Sequence, residues 1–236
     1  MVVALGLAVA LVALLRGGDG DGGGSASSPR VSSPGVAAEV PDEAARAKAQ
    51  TLAAGVAMDA PDWGPGYERA EQYQNDPAPE LEVKSSCEIF DQTGRKGTLA
   101  AVRRSVRQPT TGLLHHTEVR VFADAATAES YMSDVESGTR RCQEQTSGKV
   151  RFADVRQAGA PDVAGYDAIV AEDGRQVTDE NGAKSDYPYV LYTGRSGAAT
   201  LSVFAFGEAA AGQAPLTERA TGALQKLQRR LEAASR

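Results

Sequence analysis

The stretch "VRVFADAATAESYMSDVESGTRRC", residues 119–142, contains the change of period that decides the fold. Val119 and Val121 alternate with Arg120, so the two valines share one face of a strand. Asp124 then stands as a helix cap. Ala128, Tyr131, Met132 and Val135 recur at i, i+3, i+4 and i+7, the single buried stripe of a helix over 124–138. Cys142 follows just after it.

Outward from this unit, "TLAAVRRSVRQ" (98–108) and "HHTEVRVFA" (115–123) predict two strands joined by "PTTGLL". Further strands are predicted over 149–157, 165–174 and 186–194. "YVLYTGRSGAATLSVFAFG" (189–207) places two β-rich runs around Gly-Arg-Ser-Gly, a hairpin signal. A first helix is predicted over 41–58, capped by Asp42. Residues 59–80 read as a loop in which Trp63 plugs an edge of the core. A last amphipathic helix (214–236) carries Leu216, Ala220, Ala223, Leu224, Leu227 and Leu231 on one face, with Arg229 and Arg230 near the negative end of its dipole. The order helix, strands, helix, strands, helix gives an α+β fold, a twisted and mainly antiparallel sheet flanked by helices.

The 236 residues divide unevenly. Residues 1–15, "MVVALGLAVALVALL", are wholly apolar. As a helix they would be about 22 Å long, short for a full bilayer span. No basic residue precedes the run, and no lipoprotein-type cysteine follows it. The expectation is an uncleaved hydrophobic anchor helix whose basic flank lies upstream of Met1. A cleaved secretory signal and a buried core helix are the alternatives. Residues 16–41, rich in Gly, Ser and Pro, read as a flexible linker. Residues 42–236 then form the extracytoplasmic domain, at the cell membrane or secreted. The net charge of −6 argues against sequence-independent nucleic-acid binding, which depends on neutralising phosphates.

Cys87 and Cys142 are the only cysteines. A zinc site needs three or four ligands and a redox pair the C-x-x-C spacing, so one structural disulfide is the expectation; two free thiols remain the alternative. His115 and His116 point to opposite faces of a strand and cannot serve one metal or one triad. Ser196 in "GRSG" lacks the spacing of a nucleophile elbow. "DENG" (179–182) is too short for a calcium loop and reads as a turn. In "RRSVR", Arg103 and Arg107 share a strand face while Arg104 points away. Arg103 and Arg107, with Tyr187, Tyr189 and Tyr192 of "YPYVLY", are the candidate ligand-cleft residues; a solvated, acid-paired face and a core edge are their plainer readings. No metal and no cofactor is implied.

The order of a cysteine, a strand pair, the 119–142 unit, further strands, the "GRSGAATLSVFAFG" hairpin and a terminal amphipathic helix resembles a known family. It is similar to the extracellular sensor domain of mycobacterial PknH-type serine/threonine kinases, a domain also found alone on actinobacterial envelope proteins. The likeness covers about residues 42–233 and rests most on the Val-x-Val-Phe strand leading through Asp124 to Cys142. It implies a twisted antiparallel sheet with a ligand cleft. This chain departs from that family in lacking a tryptophan before Cys142, a second cysteine pair at the last hairpin, and a kinase domain. The functional expectation is a non-enzymatic sensor-like or binding domain of the bacterial cell envelope, taking a small ligand or an envelope protein. A protein-interaction module for another membrane protein and a secreted hydrolase are the alternatives.

Overall fold

The computed structural model describes residues 43–236 except 93, 112, 181–182 and 209–211. The apolar segment 1–15, the linker 16–41 and the Asp42 cap lie outside the described residues. Among the described residues no helix is long and apolar enough to cross a membrane.

Three helices, α1 (Glu43–Val56), α2 (Ala125–Arg141) and α3 (Ala214–Ala234), pack on ten strands. In chain order these are β1 (Glu68–Asn75), β2 (Glu80–Val83), β3 (Ile89–Gln92), β4 (Thr98–Arg107) and β5 (Leu114–Phe122). After α2 come β6 (Gln145–Ser147), β7 (Val150–Gln157), β8 (Ala168–Glu180), β9 (Ala183–Ser196) and β10 (Ala199–Phe206). Eight strands form one antiparallel sheet in the order β1-β4-β5-β10-β9-β8-β7-β6; β2 and β3 pair as a separate ribbon. The α+β class with a large antiparallel sheet is as the sequence implies.

The two faces of the sheet differ in chemistry. Alternate residues Val102, Val119, Val121, Leu201, Val203, Val190 and Tyr192 point into the main core under α1 and α3. From α3 the core receives Leu216, Ala220, Ala223, Leu224, Leu227 and Leu231, the stripe read from the sequence. From α1 it receives Ala49, Ala53 and Val56, small residues that let the helix lie close to β4. The opposite face carries Arg103, Glu118, Arg120, Glu172 and an aromatic group, and α2 crosses it. As expected, Asp124 caps α2 by accepting from the Thr127 amide at 2.7 Å.

Several boundaries differ from the sequence reading. The expected loop at 59–80 holds a 3₁₀ turn over Ala60–Trp63 and the edge strand β1. The sequence of β1, "ERAEQYQN", buries only Ala70, so no apolar alternation marks it. The last hairpin turns at Gly197-Ala198, while Gly194 and Arg195 belong to β9. Gly194 is needed there because the Tyr166 ring lies on it: a Cβ would come within 2.4 Å of that ring. Tyr166 in turn donates to the Leu224 carbonyl of α3 at 2.9 Å. The helix α2 runs through Gly138 to Arg141, since Val83 of β2 packs onto Gly138 and would sit 3.1 Å from any Cβ. Arg229 and Arg230 stand before the last turn of α3, which continues to Ala234. Arg230 instead pairs with Asp62 at 2.6 Å, tying α3 to the 3₁₀ turn.

Cys87 and Cys142 form a disulfide that joins the end of α2 to the β2–β3 ribbon. Cys87 has φ 63°, a left-handed conformation that side chains other than glycine rarely adopt. Its amide donates to Lys84 O and its carbonyl accepts from Thr146 N, so the bond closes an already bridged corner. The bridge spans 55 residues. The double variant Cys87→Ala/Cys142→Ala is therefore expected to lose about 2–4 kcal/mol of stability, read as a lower urea midpoint. An unchanged midpoint would remove the bridge as a stabilising element.

Candidate functional site

Glu118 of β5 is buried on the α2 side of the sheet and receives two guanidinium groups. Arg103 Nε donates to Oε2 at 2.8 Å and Arg120 Nε to Oε1 at 2.6 Å. Burial pushes the Glu118 carboxyl up, but Arg120 and Arg103 outweigh it and hold the group below its ordinary range. Arg120 Nη2 also donates to the Pro79 carbonyl, which draws the 77–80 segment across the sheet. Beyond it, Glu80 binds the amide of Arg95 at 3.0 Å and its Nε at 2.8 Å, and Arg95 reaches on to Asp134 at 2.9 Å. The Tyr131 ring of α2 lies near both cations, 5.2 Å from Arg95 and 5.7 Å from Arg120. Burial, then the nearby Glu118, pushes its phenol up to about 12.

A groove of about 510 Å³ opens beside this cluster. Pro77, Ala78 and Pro79 line it together with Thr98, Leu99, Ala100 and Ala101, the two segments being joined by a hydrogen bond from the Ala78 amide to the Ala101 carbonyl at 2.8 Å. Arg120 forms part of its lining, and Arg46 of α1, Asp91 and Gly94 complete it. Arg120 is 1% exposed, yet among the described residues its Nη1 has no hydrogen-bond partner; neither has the buried Thr98 Oγ1. Unsatisfied buried donors cost about 1–3 kcal/mol each, so this is where a ligand gains most from binding. A second depression, of about 360 Å³, is lined by Arg151, Arg175 and Asp186, but Arg175 is already paired there with Asp154 and Asp186.

Farther along the same face, Tyr189, Phe206 and Leu113 are buried among half-buried Phe152, Tyr187, Leu191 and Phe204. Glu172 lies under this group, and among the described residues no cation pairs with it. Tyr189 donates to Oε1 at 2.8 Å, and Thr139 Oγ1 is 2.5 Å from Oε2 and 3.1 Å from Val135 O. Thr139 has one hydroxyl hydrogen for two acceptors. Thr139 therefore divides its one hydrogen between Glu172 Oε2 and Val135 O. Burial raises the Glu172 carboxyl above its ordinary range, against the lowering effect of its two hydroxyl contacts.

The structure distributes the residues singled out from the sequence. Arg103 enters the Glu118 cluster. Arg107 pairs with Glu68 at the exposed edge, and Arg104 reaches the opposite side to Ala57 O at 2.7 Å. Tyr187 and Tyr189 join the aromatic group, but Tyr192 is in the main core, because side chains three apart on a strand take opposite faces. These five residues therefore do not line one cleft. His115 stacks on Trp63 at 5.1 Å, while His116 meets Ser105 Oγ at 2.8 Å on the other face. Asp179 and Glu180 end β8, one side of the β8–β9 hairpin. The sequence reading missed Glu118, Arg120, Thr98 and Arg46. The signal for the first two was present: opposite charges two apart, on one face of a strand otherwise rich in valine.

No protein-family model matches the chain, and no curated protein matches it.

Two pH effects of opposite sign follow. Glu172 binds its proton more tightly folded than unfolded, so its stabilisation is full below about 4.5 and is lost as pH rises through the raised folded value. Glu172→Gln is expected to melt above the wild type at pH 8 and to converge with it near pH 4.5; an equal loss at both would mean an ionised carboxylate. Burial, then Arg219, lowers His115 from 6.5 to about 3, so its contribution is full above 6.5 and declines as pH falls toward 3. Its Nδ1 accepts from the Phe206 amide at 3.3 Å, which fixes the Nε2–H tautomer. The His115 imidazole NMR signals should stay flat from pH 8 to about 4.5; a midpoint near 6.5 contradicts this.

Proposed function

We propose that this chain is a non-enzymatic, sensor-like binding domain of the bacterial cell envelope, with its ligand seated in the groove beside Arg120. The observation that carries the reading is the coincidence of an open groove with buried donor and hydroxyl groups that the protein itself leaves without partners. Specific polar groups in an otherwise apolar concavity are the usual composition of a small-molecule site. The groove walls supply the apolar part through Pro77, Ala78, Pro79 and Leu99. The oxidised Cys87–Cys142 pair is in keeping with an extracytoplasmic location. So is an anchoring role for residues 1–15, with 16–41 as the tether. The likeness to PknH-type sensor domains supports the same reading and leaves any part in kinase signalling as a separate matter.

A second reading, a module that docks another membrane protein, is favoured by the aromatic group. Phe204, Leu191 and Tyr187 are only half-buried on a sheet face that α2 crosses. The hydrolase alternative would use Ser105 and His116, whose Oγ and Nδ1 are 2.8 Å apart. The groove is lined by residues 98–101 of β4 and by Arg120, and neither Ser105 nor His116 is in its lining.

The test is native mass spectrometry of the full chain recovered separately from membrane, culture fluid and cytoplasm, with and without reduction and alkylation. The expected species is membrane-bound, exposes two thiols only after reduction, and carries a small-molecule adduct that Thr98→Phe, which fills the groove, removes. Free thiols on a cytoplasmic species, or an adduct unaffected by Thr98→Phe, would overturn it.

A further inference from the structure

The groove is built for an oxyanion: we infer that it binds the phosphate or carboxylate head of a small ligand between Arg120, Thr98 and Arg46. This rests on the groove being the binding site, and adds the chemistry of what fills it.

Three observations converge. Arg120 holds Glu118 through Nε and the Pro79 carbonyl through Nη2, so its guanidinium is fixed in direction while both N–H bonds of Nη1 are left without an acceptor. A guanidinium so fixed is matched by an oxyanion, which accepts hydrogen bonds in the same plane. Thr98, which lines the same groove, holds a second buried polar atom, Oγ1, without a partner among the described residues. Arg46 projects from the exposed side of α1 into the lining, and no ion pair engages it among the described residues. Its charge is the mobile member of the site, the one able to close over a bound anion.

The neighbouring acids set the limits of this chemistry. Glu118 is committed to Arg103 and Arg120, and Glu80 to Arg95, so neither competes for Nη1 at hydrogen-bond distance. Asp91 lines the groove as an exposed carboxylate. It disfavours a second negative group and suits a ligand with a hydroxyl or amine beyond its anionic head. Pro77, Ala78, Pro79 and Leu99 give the lining its apolar part and suit a short apolar body on the ligand.

The test titrates the full chain with inorganic phosphate and with acetate, against sodium chloride at matched ionic strength, following melting temperature and the arginine guanidinium NMR signals. A saturable rise in melting temperature and a shift of one buried guanidinium are expected with at least one oxyanion, and not with chloride. Arg46→Gln and Thr98→Val, both on the groove surface, should keep the wild-type fold. Each should weaken the apparent affinity by about ten- to 150-fold, the loss of one hydrogen bond to a charged group. Arg120→Met should abolish the response; its own folding is read from the sheet amide signals. Vesicles of phosphatidylglycerol against phosphatidylcholine separate the two sources of the anion: selective binding lost in Arg46→Gln identifies a lipid head group, and its absence beside a phosphate response identifies a soluble ligand. No saturable response, or one that the Arg46 and Thr98 variants leave unchanged, overturns the inference. If a Thr98→Phe-sensitive adduct is still found on the native protein, the groove remains a binding site and only the oxyanion class falls; if none is found, both readings fall.

Discussion

The ion cluster centred on Glu118 is the constraint around which the α2 side of the molecule is arranged. Taking a charge out of water costs several kcal/mol per ion, and Arg120 is almost wholly enclosed. The cost is offset only because Glu118 receives both Arg103 and Arg120 and because a backbone carbonyl, that of Pro79, accepts a further bond. That carbonyl is delivered by the 77–80 segment, so the segment must cross the sheet. Tyr131 of α2 completes the enclosure from above. The groove is the space left between this crossing segment and the start of β4, and its chemistry is inherited from the guanidinium beside it.

The rest of the α2 face depends on keeping that helix in register. At one end, Gly138 lets Val83 of the ribbon approach to contact distance, and the disulfide closes the corner beyond it. Next to it, Thr139 meets Glu172 of β8 at 2.5 Å. The same helix thus stands over an arginine-paired acid near β5 and a hydroxyl-bound acid near β8. Glu172 and the imidazole of His115 on the core face respond to pH in opposite directions, whereas Glu118, held below its ordinary range, follows His115 in losing its contribution as pH falls.

The apolar periodicities were legible because they are local. Leu216 to Leu231, the Ala128 to Met132 stripe and the alternation in β4, β5 and β10 each bury a face that the sequence already groups. Elements without such grouping were not legible. The strand β1 is polar along its length and exists because it pairs with β4; β2, β3 and β6 are three or four residues long. The candidate site was legible only in part: Arg103 was singled out, but Arg120, between the two valines of its strand, was not. Both its faces are in fact covered, and a charge at such a position is itself the signal.

The sequence by itself determined the class of fold, the helix cap at Asp124, the opposite facing of His115 and His116, and a cysteine pair suited to one bridge. These follow from periodicity and side-chain chemistry within a few residues. The tertiary structure alone decided that Gly194 sits inside a strand under Tyr166, that Tyr192 faces away from Tyr187 and Tyr189 into the core, and that Arg46, Thr98 and Arg120 line one groove. Those outcomes depend on which segments cross which, and the burial of a charge or the close approach of a ring is a property of the neighbours it meets, not of the residues beside it in the chain.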